Sequence, residues 1–66
     1  MKVIVNGEEK VLREGETLEG LISSLLKDHR GVAAAVDGEV VPRDRWGASR
    51  LNEGQTVEVV TAVQGG

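Results

Sequence analysis

The chain has no cysteine, no phenylalanine and no tyrosine, and its 66 residues include one tryptophan and one proline. Without cysteine, neither a disulfide nor a cysteine-based metal site can stabilise it. Its core must therefore come almost entirely from aliphatic side chains. A chain of this length buries only about 60% of the surface that its unfolded form exposes, so it forms at most one domain and cannot house a deep active site.

Clustered positive charge is also missing. The formal net charge is −3, and the nearest approach to a basic cluster, Arg43, Arg45 and Arg50, is interrupted by Asp44. Nucleic-acid binding needs grouped lysine and arginine, so this class of function is disfavoured. No apolar run approaches the length of a membrane span, and the beginning of the chain lacks a secretory apolar segment. These features predict a soluble, mildly acidic domain in the cytoplasm.

Two dipeptides predict tight β-hairpins. Asn6-Gly7 and Asp37-Gly38 consist of residues that tolerate the positive φ of a type I′ turn. The first turn lies within a hairpin over residues 2–13. The second joins a strand of small and branched residues, 32–36, to a short strand, 39–41.

One amphipathic helix is predicted between the hairpins. Five apolar side chains recur at helical spacing: Leu18, Leu21, Ile22, Leu25 and Leu26. Thr17 is a suitable N-cap. The basic residues Lys27, His29 and Arg30 suit the negative end of the helix dipole, and Gly31 is a natural stop. We therefore expect the helix to continue until shortly before Gly31.

The last predicted strand, 56–63, is the longest, and like the first strand it is rich in valine and free of proline. Both strands are therefore expected to be central and to pair in parallel. The order ββαββ, with one helix too short to cover two sheets, predicts an α+β fold in which the helix packs across one face of a mixed sheet. This is the β-grasp arrangement. We expect a single domain over residues 1–63 and a flexible tail over 64–66.

The chain ends in Gly65-Gly66. Glycine loses the most conformational entropy on ordering, so it adds nothing to a fold at a free end. A chance ending or a frayed terminus is the alternative, but by average usage two final glycines occur only about once in 200 chains. Two residues without side chains can enter a narrow channel and bring a carboxylate to a partner's catalytic centre. Activation to an acyl adenylate would then let a sulfur nucleophile form a thiocarboxylate.

Four segments together resemble the ThiS family of the ubiquitin-like superfamily. They are Val3–Gly7, Gly15–Leu18, Ala35–Arg43 with Trp46 close behind, and Val57–Gly66. The resemblance covers essentially the whole chain. Its most distinctive parts are the Val-Pro-Arg segment with its nearby tryptophan and the Gln-Gly-Gly ending.

The resemblance implies a sulfur carrier of thiamine (thiazole) biosynthesis, with no catalytic residues and no bound cofactor of its own. Gly66 would be adenylated by an E1-like, ThiF-type adenylyltransferase that consumes ATP, and then converted to a thiocarboxylate with sulfur from a donor enzyme. Gln64 and Gly65 would thread into this partner and into a ThiG-type thiazole synthase. A carrier of this size is expected to be a monomer when free.

Other residues have competing interpretations. Alternation along the last strand predicts two faces, Val57, Val59 and Thr61 on one and Glu58, Val60 and Ala62 on the other. If the first set faces the helix, Val60 and Ala62 belong to a partner-docking surface, although scattered exposed apolar residues are also ordinary. His29 has no neighbouring nucleophile or second ligand, so we interpret it as a solvated cation at the helix end.

Residues 43–50 are predicted to be irregular or a short helical turn around Trp46. We interpret Trp46 as closing the edge of the core, with an interface anchor as the alternative. Arg43, Arg45 and Arg50 are interpreted as a solvated, partly paired loop, with contact to an acidic partner as the alternative.

Two further functions remain open. One is sulfur carriage for molybdopterin synthesis, and the other is a β-grasp interaction module whose tail has no chemistry. No Ser-His, Cys-His or metal-ligand set in the sequence supports an enzyme.

Overall fold

The computed structural model describes residues 1–62. Its elements in chain order are β1 (Lys2–Val5), β2 (Glu8–Val11), α1 (Leu18–Leu25), β3 (Val32–Val36), β4 (Glu39–Val41), a 3-10 helix (Arg43–Ala48) and β5 (Thr56–Thr61). The strands form one five-stranded sheet in the order β2-β1-β5-β3-β4. β1 and β5 pair in parallel, and every other pairing is antiparallel. The predicted mixed sheet with one helix is therefore confirmed.

Both hairpins turn at the predicted dipeptides. Asn6 and Gly7 have φ angles of +49° and +84°, and Asp37 and Gly38 have φ angles of +50° and +85°. Each pair of residues is left-handed, as a type I′ turn requires. The two-residue turns place Val5 opposite Glu8 and Val36 opposite Glu39.

Helix α1 begins as predicted. The Thr17 hydroxyl accepts a hydrogen bond of 3.1 Å from the backbone N–H of Gly20, which satisfies one of the unpaired donors of the first turn. Leu18, Leu21 and Ile22 are fully buried against the sheet. These three side chains hold the helix in place.

The predicted end of the helix is wrong. Leu25 is the last helical residue, and Leu26 has an extended backbone with φ −134° and ψ 137°. Beyond it, the Asp28 carboxylate accepts hydrogen bonds from both the backbone N–H and the guanidinium of Arg30. Such local side-chain bonds offer the backbone an alternative to the helix. The basic residues after the helix are therefore not in its last turn, and the predicted pairing with the helix dipole is also wrong.

The core lies between α1, the 3-10 helix and the inner face of the sheet. Its buried members are Val3, Val5, Leu18, Leu21, Ile22, Ala34, Trp46, Leu51, Val57 and Val59. Trp46 is 1% exposed, and its indole N–H donates a 2.9 Å hydrogen bond to the carbonyl of Val41. The interpretation of Trp46 as a residue that closes the core is confirmed.

Candidate functional site

Strand β5 leads directly to the predicted reactive end of the chain. It lies between β1 and β3 and ends at Thr61, so within the described residues it is one residue shorter than the prediction of 56–63. The N–H of Ala62 still donates a 2.7 Å hydrogen bond to the carbonyl of Gly31. Gly31 has φ +70°, a left-handed conformation that favours glycine. The last described residue is thus tied to the loop that precedes β3.

The predicted reactive residues Gln64, Gly65 and Gly66 lie outside the described residues, so their assigned roles stay predictions. Four residues follow Ala62 in the sequence. A segment of four residues spans at most about 14 Å when fully extended. A partner that uses the terminal carboxylate must therefore place its catalytic centre within about this distance of Ala62.

An exposed apolar surface lies on the outer face of the sheet, beside the end of β5. We call it the outer patch, and it consists of Ala33, Ala35, Val40 and Val60. Val60 lies opposite Ala33, and Val40 lies opposite Ala35. Val40 is 75% exposed and Val60 is 61% exposed, while Glu58 borders the patch. The patch therefore presents large apolar side chains to solvent beside the end of β5.

The prediction for the faces of β5 is largely confirmed. Val57 and Val59 are buried, and Val60 is exposed on the outer face. Thr61, which alternation assigns to the inner face, is exposed because it lies opposite Val32 at the margin of the core. Ala62 is exposed as predicted, but it contacts Gly31 beyond the end of the strand.

Three members of the outer patch were missed in the sequence. The sequence pattern places Ala33, Ala35 and Val40 on strands but does not fix the face of the sheet on which they lie. The Asp37-Gly38 turn contains the missing signal, because a two-residue turn that pairs Val36 with Glu39 also pairs Ala35 with Val40.

Charged groups beside Ala62 form a local pair. The Arg30 Nη2 atom lies 2.8 Å from the Asp28 Oδ2 atom, and both side chains are exposed. Hydrogen bonds from the side chain and the backbone of Arg30 lower the pKa of Asp28, and the same pair raises the pKa of Arg30. Charge-assisted bonds of this kind favour the ionised form of each partner.

His29 is not the fully solvated side chain at the helix end that the sequence predicted. Its ring is half-buried and packs edge-on against Trp46, with 5.9 Å between the ring centroids. Its Nε2 atom lies 3.4 Å from the hydroxyl of Ser23. Because the helix ends at Leu25, His29 lies in the loop that follows, where its ring contacts Trp46.

The arginines around Trp46 are exposed, as predicted. The guanidinium of Arg43 lies 5.6 Å from the centroid of the Trp46 ring, a cation–π distance. Among residues 1–62, none of Arg43, Arg45 and Arg50 forms an ion pair, so the expected partial pairing is not found there.

Two other kinds of site are absent from the described residues. Residues 1–62 contain no group of three or more histidine, cysteine, aspartate or glutamate side chains placed to hold a metal ion. No helix in this part of the chain is long and apolar enough to cross a membrane.

Known proteins resemble this chain in both sequence and structure. Residues 2–66 match the ThiS family. The chain is 35% identical over 66 residues to a thiazole synthase of Paramagnetospirillum magneticum, covering all of this chain but only 20% of that protein. It is 24% identical to the sulfur carrier protein ThiS of Escherichia coli, with full coverage of both chains.

The fold is shared as well. A crystal structure of the thiamine biosynthesis protein ThiS from Geobacter metallireducens superposes with a TM-score of 0.84 at 28% identity, and all of both chains is covered. Together with the family match over residues 2–66, this similarity confirms the β-grasp fold and the relationship predicted from the sequence. The chain belongs to the ThiS family.

Proposed function

We propose that the chain is a sulfur carrier for thiazole formation in thiamine biosynthesis, a protein co-substrate in which the carboxylate of Gly66 reacts and the folded body delivers it. The position of β5 carries this proposal. The strand is held between two others, its end lies beside the outer patch, and the Gly65-Gly66 ending follows it in the sequence. The match to the sulfur carrier of Escherichia coli along its full length supports the same function.

The chemistry begins with an unreactive group. A free carboxylate is a poor electrophile, so an oxygen of Gly66 attacks the α-phosphorus of ATP on an E1-like, ThiF-type adenylyltransferase, and pyrophosphate leaves. Sulfur supplied by a donor enzyme at the oxidation level of sulfide then attacks the acyl carbon of the adenylate. AMP leaves with the electron pair of the broken C–O bond, and a thiocarboxylate remains. ATP is consumed by the partner, and the carrier needs no cofactor of its own.

Gln64 and Gly65 serve the delivery of this group. Because Gly65 has no side chain, the tail passes through a narrow channel in the activating enzyme and again in a ThiG-type thiazole synthase. The thiazole synthase takes up the sulfur of the thiocarboxylate during ring formation. The carrier acts as a monomer that docks to each enzyme in turn.

The outer patch, together with Ala62, is the surface that docks to these partners. Val40 and Val60 are large apolar side chains that remain exposed on the free chain. Exposed apolar surface next to a reactive group is typical of protein-binding sites. A partner with an apolar recess would bury both valines while the tail enters its channel.

One relative supports a role in thiazole formation rather than in molybdopterin synthesis. The Paramagnetospirillum magneticum protein that matches this whole chain over 20% of its own length is a thiazole synthase. In that protein, a segment similar to this chain is part of the thiazole synthase polypeptide. The cytoplasm, where ATP is available to the activating enzyme, is the proposed location.

The proposal is tested by the mass of the intact chain. The protein is incubated with a ThiF-type enzyme, ATP and a sulfur source, and replacement of one terminal oxygen by sulfur is expected. A chain lacking Gly66 is expected to stay unmodified, and omission of ATP provides the control. A wild-type chain that stays unmodified under these conditions would contradict the proposal.

A further inference from the structure

The end of β5 is held on one side by a single side chain. β1 pairs with β5 through Ile4 opposite Thr56 and Val5 opposite Val57, and the chain then turns away at Asn6. Beyond this point, the hydrogen bonds to β5 come from the Asn6 side chain instead of the backbone of β1. Its Oδ1 atom accepts a 2.9 Å hydrogen bond from the N–H of Val59, and its Nδ2 atom donates a 3.1 Å hydrogen bond to the carbonyl of Val59.

These two bonds fix the orientation of the amide, because an N–H group must face an oxygen and a carbonyl must face the NH₂ group. They also satisfy both backbone groups of a residue that is 9% exposed. Buried backbone groups without hydrogen-bond partners are costly. The Asn6 side chain therefore replaces the pair of backbone hydrogen bonds that a further residue of β1 would have made to Val59. Immediately beyond Val59 come Val60 of the outer patch and the residues that lead to the tail.

The other type I′ turn offers an internal comparison. Asp37 occupies the same turn position as Asn6, with φ +50° against +49°, and its side chain also binds β5. There the Oδ1 atom accepts a 2.9 Å hydrogen bond from the N–H of Thr56, at the beginning of the strand. The two turns therefore bind opposite ends of β5 by similar chemistry, and of these two side chains Asn6 is the one nearer the end that leads to the tail.

We propose that Asn6 is a positioning residue for delivery of the tail. The inference rests on the proposed function, since it assigns a step in docking to the activating enzyme. By clamping Val59, Asn6 keeps Val60 in the outer patch while the tail leaves from a fixed point. Without the clamp, the end of β5 separates from the first hairpin in most of the population, and only the intact fraction docks.

This mechanism predicts an effect on KM and none on kcat. When a binding-competent state is only partly populated, the apparent dissociation constant rises in inverse proportion to that fraction. Loss of two hydrogen bonds of ordinary net strength predicts a rise in KM for the carrier of about tenfold. Once the carrier is docked, the strand is ordered again, so the rate at saturation stays the same.

The test compares Asn6→Gly with Asp37→Gly in carrier-dependent ATP–pyrophosphate exchange by a ThiF-type enzyme. Glycine suits both turns, so each variant keeps its hairpin and loses only side-chain hydrogen bonds. We expect Asn6→Gly to raise KM about tenfold at unchanged kcat, and Asp37→Gly to leave both constants near the wild-type values. Equal KM values for the two variants, or an effect confined to kcat, would overturn the inference.

A second variant and a second measurement separate this inference from the proposed function. Asn6→Asp suits the turn equally well and keeps the acceptor for the Val59 N–H, but it replaces the donor to the Val59 carbonyl with an oxygen. We expect an increase in KM for Asn6→Asp as well. Amide hydrogen exchange at Val59 needs no enzyme and should accelerate more in Asn6→Gly than in Asp37→Gly, because Asn6 accepts the hydrogen bond of the Val59 N–H. If the wild-type chain itself supports no ATP–pyrophosphate exchange, the proposed function fails. If Asn6→Gly leaves the hydrogen-exchange protection of Val59 unchanged, the role of Asn6 is refuted and the proposed function is not affected.

Discussion

Truncation of Val60 tests whether the outer patch docks to the activating enzyme. Complete burial of a methylene group contributes about 0.8 kcal/mol, and valine to alanine removes two carbons. Val60 is 61% exposed, so docking removes at most that fraction of its surface from water. The expected loss is about 1 kcal/mol, which corresponds to an increase in KM of about fivefold for Val60→Ala.

The same calculation of lost docking free energy applies to Val40, on the other side of the outer patch. It is 75% exposed, so the same arithmetic predicts a somewhat larger loss for Val40→Ala. Because β3 separates the two valines, their effects should be nearly additive, and the double variant should raise KM by about 40-fold. The measurement is the dependence of ATP–pyrophosphate exchange on carrier concentration, with thermal unfolding as the check on folding.

Val11→Ala is the matched control. Val11 is 77% exposed and lies opposite Lys2, on the far side of β1 from the patch. The same two carbons are removed from a strand of the same sheet, so general effects on the sheet are reproduced. If Val60→Ala and Val40→Ala have the same KM as Val11→Ala, the docking surface lies elsewhere and the reasoning is refuted.

Three further predictions concern folding and ionisation. Trp46→Phe removes the indole N–H that donates to Val41 and leaves space in the core, so denaturant titration should show a loss of about 2 kcal/mol in the free energy of unfolding. Leu21→Ala truncates a side chain that is 1% exposed, and a loss of about 2–5 kcal/mol should leave so small a domain largely unfolded by circular dichroism. The pKa of Asp28 is lowered in the folded chain, so the contribution of its pair with Arg30 to stability is present above the ordinary aspartate pKa and lost as pH falls through the lowered value, and it is small because both side chains are exposed. Arg30→Gln should return the pKa of Asp28 toward its ordinary value in an NMR titration, with no measurable change in stability at neutral pH because the pair is exposed.

Local chemistry explains why most of the fold was predictable. Asn6-Gly7 and Asp37-Gly38 adopt the left-handed turns that their residue types favour, and these turns fix the register of both hairpins. The valine-rich, proline-free strands β1 and β5 lie next to each other in parallel, as expected of interior strands. The predicted membership of the ThiS family is likewise confirmed.

The predictions from the sequence are wrong or incomplete where side chains form hydrogen bonds with the backbone. The basic residues after Leu26 and the stop signal at Gly31 predict a longer helix, but Asp28 bonds the backbone of Arg30 and stabilises a loop instead. Asn6 was interpreted only as a turn residue, and its bonds to Val59 depend on a contact 53 residues away in the sequence. No local pattern predicts such a contact, because it exists only after the first and last strands have paired.

The place of β5 in the sheet has a mechanical consequence. In the order β2-β1-β5-β3-β4, the two hairpins are joined within the sheet by this strand alone. Under the proposed function, a partner enzyme that draws in the end of the chain would pull along the axis of β5. The inter-strand hydrogen bonds run across that axis, so the load is shared in shear by the ladders on both sides rather than breaking bonds one at a time. The strand that joins the two hairpins is thus also the one best placed to resist traction on the end of the chain.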